Sequence, residues 1–201
     1  MRITSATYQV ADDRSDAELL TASGESPELF GRLFDRHVDS IFGYVRKRVG
    51  PEMAEELTAE TFAQAFGGRE RYVPVHESAA PWLYGIATNV IHRARRVERR
   101  QLEAYGKAAA VVTPGPDDFD EADSRLDAHS AAGALVEALL ALASGDRDAL
   151  LLFAWEGLSY DDVATALGVP PGTVASRINR ARRYIRGRLD STDDWMGAQH
   201  D

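Results

Sequence analysis

The 201-residue sequence predicts an all-α protein made of two small helical domains joined by a flexible acidic linker. Three observations carry that prediction. Apolar residues recur at three- and four-residue steps through most of the chain, the period of an amphipathic helix. No run alternates apolar and polar β-formers as a half-buried strand does. Finally, "TPGPDDFDEADS" (residues 113–124) is rich in Pro, Gly and Asp and poor in apolar side chains, the composition of a linker. A hydrophobic fraction of 44 % is ordinary for globular protein and excludes wholesale disorder.

The elements follow in order. Residues 1–25 read as an N-terminal extension, with a disordered tail the simplest account of its acidic composition. Its opening segment lacks the uninterrupted apolar core of a secretory signal. A first long helix begins near Ser26-Pro27, Pro being tolerated in a first turn, and runs to Val49. Leu29, Phe30, Leu33, Phe34, Val38, Ile41, Phe42 and Val45 form its stripe. Gly50-Pro51 ends it and opens a second helix over about 51–66, with Leu57, Phe62 and Phe66 turned inward. "GGRERYVPVHESAAP" is a loop, broken by two glycines and two prolines. A third long helix over about 80–105 holds Trp82, Leu83, Ile86, Val90 and Ile91 before an arginine run. This gives a first domain over 26–106, a linker over 107–130, a second domain over 131–189 and a short tail over 190–201. Within the second domain helices are expected at about 131–143, 146–156, 160–167 and 171–188.

The net charge of −9 argues at first against a polyanionic partner, but its distribution reverses that impression. Residues 172–189 carry Arg177, Arg180, Arg182, Arg183, Arg186 and Arg188 with no acid. "HRARRVERR" carries Arg93, Arg95, Arg96, Arg99 and Arg100 against Glu98 alone, whereas residues 113–130 hold six acids and one arginine. At physiological salt the screening length is about 8 Å, so a polyanion senses the local patch.

Residues 159–189 are punctuated as a helix-turn-helix. Ser159 and Asp162 form a capping box that starts a helix at Tyr160. Val163, Ala164 and Leu167 are its buried face, Gly168 permits a tight turn, and Pro171 suits the first turn of a second helix. Val174 and Ile178 face inward, which leaves Thr173, Ser176, Arg177, Asn179 and Arg180 outward. Arginine can bridge guanine O6 and N7, asparagine can pair with adenine, and hydroxyls serve either role. Arg182, Arg183, Arg186 and Arg188 suit phosphate oxygens. A merely solvated helix pair would mix both signs of charge. The unit reads as a DNA binder.

Three stretches then resemble the extracytoplasmic-function (group IV) sigma factors of bacterial RNA polymerase. "WEGLSYDDVATALGVPPGTVASRINRAR" resembles the family's region 4. "PEMAEELTAETFAQAF" and "APWLYGIATNVIHRARR" resemble successive parts of its region 2, and the three occur in the family's order. The resemblance implies a protein that binds core RNA polymerase, with region 2 helping to open the −10 element and region 4 reading the −35 element. It implies docking of the 51–66 helix on the clamp coiled coil of the largest subunit, through Glu55, Glu56, Leu57, Glu60, Thr61 and Phe62. Region 4 would meet the β flap. By residue types alone, Phe62 reads as core rather than as an interface anchor. The resemblance places Arg71, Tyr72, His76, Asn89, Arg93, Arg95 and Arg96 at the −10 element, against a surface or capping reading of Asn89. Trp82 could stack on a base, but its spacing to Leu83 and Ile86 reads as core. Thr173, Ser176, Arg177, Asn179, Arg180 and Arg183 would face the −35 element. An anti-sigma factor is a further implied partner. Ala59 stands where the family commonly has glutamine, which bears on one polar contact with polymerase, while Ala143, Ala175 and Asn179 in region 4 bear on promoter sequence, not on class.

Rival readings explain less. A regulator sharing only the helix-turn-helix leaves residues 51–106 unexplained. An enzyme lacks support: the five histidines have no HExxH spacing, and there is no Walker-type loop or GxSxG elbow. With no cysteine there is no thiolate metal site. No cofactor, metal or catalytic activity is expected, and no run approaches the roughly 18 apolar residues that span a bilayer. A cytoplasmic protein is the expectation.

Overall fold

The computed structural model describes residues 14–75, 77–108 and 126–197. Among these, α-helices run α1 (Asp16–Ala22), α2 (Phe30–Val49), α3 (Pro51–Gly68), α4 (Ala80–Ala108), α5 (Leu126–Ala141), α6 (Ser144–Trp155), α7 (Tyr160–Leu167) and α8 (Pro171–Gly197). Single 3₁₀ turns lie at Pro27–Leu29 and Arg69–Arg71, and no strand occurs among the described residues. Two compact units divide at Ala87/Thr88, inside α4 rather than in the acidic stretch 107–130. His76 and most of that stretch, residues 109–125, lie outside the described residues.

In the first unit the core is the inner stripe of α2 against α3 and the start of α4. Leu33, Ile41 and Val45 on α2, Ala54 and Ala65 on α3, and Leu83 and Ala87 on α4 are fully buried. Each large aliphatic side chain so buried contributes about 1.5–3 kcal/mol. Aromatic edges align the helices: Phe34 meets Phe62 at 4.7 Å, Phe30 meets Phe66 at 5.3 Å, and Tyr44 meets Tyr84 at 5.3 Å. Arg48 is buried beneath this layer, and its Nη1 donates to the Tyr44 hydroxyl at 2.7 Å. Gly50, at φ +81°, makes the corner between α2 and α3 that an L side chain would strain.

Residues 16–23 correct the expectation of a flexible extension through residue 25. The Ser15 hydroxyl accepts from the Glu18 amide at 3.2 Å and the Ser15 amide donates to Glu18 Oε2 at 2.7 Å, a capping box that starts α1. Leu19 and Leu20 are buried at 0 % and 2 % exposure. Asp16 is buried beside them. Its Oδ1 accepts from Arg36 Nη1 at 2.9 Å, and its Oδ2 accepts from His37 Nε2 at 2.7 Å and from the Ala79 amide at 2.8 Å. Burial alone would push this carboxyl up. The bonds from His37, Ala79 and Arg36 outweigh it and hold the group well below the usual carboxylate range.

In the second unit α6, α7 and α8 close around Ala149, Leu152, Val163, Val174, Ile178 and Ala181. The Ser159 hydroxyl accepts from the Asp162 amide at 3.1 Å and Asp162 Oδ2 accepts from the Ser159 amide at 3.2 Å, so α7 begins where the sequence placed it. Gly168 then adopts φ +61°, and the Val169 amide bonds the Ala164 carbonyl at 3.1 Å, closing α7 and turning the chain into α8. A Cβ at Gly168 would meet nothing within 4 Å, so a substitution costs backbone strain alone. Gly168→Ala is therefore expected to lower stability by about 1–2 kcal/mol, read by urea unfolding. An unchanged midpoint would refute the left-handed cap.

Candidate nucleic-acid interface

On α3 the exposed face is acidic: Glu52, Glu55 and Glu56 point to solvent, and Glu60 is half-buried, its Oε1 accepting from Gln64 at 2.8 Å. The other residues expected to meet polymerase do not reach that face. Leu57, Thr61 and Phe62 are 3 %, 0 % and 5 % exposed, and the Thr61 hydroxyl donates to the Leu57 carbonyl at 2.7 Å. They hold the acidic face from behind, because an α-helix in a core can offer a partner only its outer side.

The loop after α3 leaves Arg71 exposed and Tyr72 half-buried, with the Tyr72 ring 5.0 Å from Trp82. Burial, and then the Asp16 charge, push the Tyr72 hydroxyl up. Trp82 is half-buried, with the Tyr72 ring packed against it at an interplanar angle of 52°. Farther along α4, Asn89, Arg93, Arg96 and Arg100 are all exposed and follow one another at three- and four-residue steps. They form one polar stripe, opposite the buried Val90 and Ile91. Arg95 is half-buried at its edge.

On α8 the buried stripe is Val174, Ile178 and Ala181. Opposite it stand Gly172, Ser176, Asn179, Arg183 and Arg186, all exposed. The Ser176 hydroxyl donates to the Gly172 carbonyl at 2.9 Å and can still accept. Thr173 is half-buried at the helix start. Two of the expected base readers are occupied. Arg180 grips Asp146 with Nε and Nη2, both at 2.6 Å, a bidentate pair on the first turn of α6. The Arg180 bond holds the Asp146 carboxyl below its usual range, burial notwithstanding, and raises the guanidinium in return. Arg177 lies over Gly145, where a Cβ would come within 3.1 Å of its Cζ. Arg182 sits 5.2 Å from the Phe153 ring centroid. Thus Arg177, Arg180 and Arg182 face α6, while Asn179 and Arg183 project outward from the helix-turn-helix.

Sequence reasoning missed Asp16 and Asp146. The signal for α1 was present, since "SDAELL" is a capping box followed by apolar residues. That for Asp146 was not, because its partner lies 34 residues away. Among the described residues no group of three or more His, Asp or Glu could hold a metal ion, and no helix is long and apolar enough to cross a membrane.

This geometry agrees with what the sequence is similar to. The Sigma-70 region 2 family matches residues 33–101, and the Sigma-70 region 4 family matches residues 132–185. The RNA polymerase sigma factor CarQ of Myxococcus xanthus is 31 % identical over 163 residues, covering 81 % of this chain and 90 % of CarQ. The chain belongs to the ECF RNA polymerase sigma factors. The ECF sigma factor SigE of Mycolicibacterium smegmatis is 33 % identical over 187 residues, covering 89 % of this chain and 69 % of SigE. The fold is shared with the sigma factor RpoE in its complex with the anti-sigma factor NepR from Bartonella quintana, at a TM-score of 0.57 and 21 % identity over 81 % of this chain and 98 % of RpoE. As a sigma factor, the protein directs promoter-specific transcription initiation by RNA polymerase. Both regions are thus present, region 4 as the helix-turn-helix built on α7 and α8.

Proposed function

We propose that this sigma factor docks on core polymerase through the acidic face of α3, with Glu55 and Glu56 outermost and Glu60 half-buried beside them, and through a contact of region 4 with the β flap. Arg71, Tyr72 and the Asn89–Arg93–Arg96 stripe, with Arg95 at its edge, serve the −10 element. Base capture there costs a few kcal/mol of unstacking, returned by stacking and edge hydrogen bonds. Asn179, Ser176, Thr173 and Arg183 serve the −35 element, with Arg177 and Arg180 setting the angle of α8. The protein acts in the cytoplasm without catalysis of its own or a cofactor. An anti-sigma factor holds it inactive; the shared fold with RpoE in its NepR complex supports that part of the reading.

The observation that carries the proposal is the acid-free basic run over residues 172–189 of α8, whose exposed side stands opposite the buried stripe of a helix-turn-helix. The test is in-vitro transcription with the purified protein, core polymerase stripped of sigma factor and a pool of genomic promoter fragments. Discrete protein-dependent starts that share −35 and −10 sequences are expected. Binding of DNA alone, with core neither bound nor redirected, would overturn the polymerase part in favour of an ordinary regulator.

A further inference from the structure

Between Arg71 and Ala80 none of the described residues is helical, and Val73 and Val75 stand 68 % and 62 % exposed. Side chains so exposed add little burial to hold the middle of the segment in place. Selecting a base requires side chains held to within about 0.5 Å. Something must restrain it.

Both ends of the segment are fixed by the same short helix. At the entry, Arg69 Nε donates to the Ser23 carbonyl, at the C-terminal end of α1, at 3.2 Å. At the exit, Asp16 Oδ2 accepts from the Ala79 amide at 2.8 Å and from the Ser78 hydroxyl at 3.3 Å, at the other end of α1. Asp16 is itself held to α2 by Arg36 and His37. The Tyr72 hydroxyl senses the Asp16 charge from inside the segment. A carboxylate suits this place because it only accepts, and four donors converge on its two oxygens. An amide there would turn its own NH₂ toward donors.

We propose that α1 positions the −10-reading segment, and that Asp16 is a positioning residue for −10 base specificity, acting through Ala79 and Ser78 without touching DNA. This rests on the assignment of that segment to the −10 element. A plain fold staple would differ in one respect: its loss would weaken every promoter alike.

The experiment compares full-length wild type and Asp16→Asn, each with core polymerase. The templates are promoters recovered with the wild type and derivatives substituted at single −10 bases. For Asp16→Asn, transcription from recovered promoters is expected to fall about tenfold while the substituted ones change little, so that base discrimination collapses and core affinity stays. Hydrogen exchange should quicken over residues 72–79 and not over α3. If Asp16→Asn does not fold, His37→Ala loosens the carboxylate without touching the segment, and should reduce discrimination in the same direction by less. A uniform fall on all templates, or unchanged discrimination in the folded variants, overturns the proposal. If wild type itself yields no core-dependent transcript, the −10 assignment fails first, and this inference with it.

Discussion

The double variant Asn179→Ala/Arg183→Ala is expected to lose promoter-directed transcription on the order of 100-fold, the Asn179 base-edge contact of about 1–3 kcal/mol and the Arg183 contact to the DNA backbone both being removed. Core affinity and the unfolding midpoint should stay near wild type, because both side chains are exposed and neither packs in the second unit. The choice of these two residues comes from the structure. Arg180 looks equally suitable on a helical wheel, yet its guanidinium is committed to Asp146 through two 2.6 Å bonds. Arg180→Ala should therefore show itself first as a lowered unfolding midpoint, with lost transcription following from a loosened α8. If the double variant transcribes normally while Arg180→Ala loses base discrimination in a fully stable fold, the assignment of roles on α8 is inverted. Arg186 and Arg188 test the electrostatic part separately. Removing either should lower the salt dependence of DNA binding by about one counterion, with little effect on sequence preference.

Asp16→Ala is expected to destabilise the first unit by about 3 kcal/mol at pH 7, the usual cost of removing one partner from a buried ionic cluster. Urea unfolding at a series of pH values checks it and supplies the sign. The folded carboxyl lies below its unfolded value of about 3.9. Its contribution is thus complete above that value and is lost as pH falls through the acid range toward the folded one. Facing groups are Arg36 and His37 from α2, Ser78 and the Ala79 amide from the segment before α4, and the Tyr72 hydroxyl. The gap between wild type and variant should narrow as the pH falls below about 4. A gap that widens in acid would mean that Asp16 is protonated in the native protein at neutral pH.

Much of the fold was legible from local chemistry. The helices from α2 onward announce themselves through three- and four-residue apolar spacing, and α7 through its capping box, Gly168 and the Pro170-Pro171 entry to α8. These are interactions within about one helical turn, and adjacency in sequence suffices to specify them. α1 was legible in principle, since Ser15 and Glu18 make the same box, but seven residues of helix have little intrinsic stability and depend on packing to persist. What holds α1 is the burial of Leu19 and Leu20 and the bonds of Asp16 to residues 20, 21 and 63 positions away.

The candidate site divides along the same line. Residue types and the resemblance located the arginine-rich helices, the acidic helix α3 and the family to which the chain belongs. They could not say which members of a motif face outward. Leu57, Thr61 and Phe62 share a motif with Glu55, Glu56 and Glu60 but lie on the inner side of the helix, where α2 takes up Phe62 through Phe34. Arg177 and Arg180 share the recognition helix with Asn179 and Arg183 but are drawn to Gly145 and Asp146. The sequence by itself determined the helical class, the helix-turn-helix and the charge that suits a polyanion, because periodicity, caps and charge runs are local properties. Only the tertiary structure decided that Asp16 belongs to the folded unit and that Arg180 is a brace, because a side chain's partner across 20 to 63 residues exists only once the helices have packed.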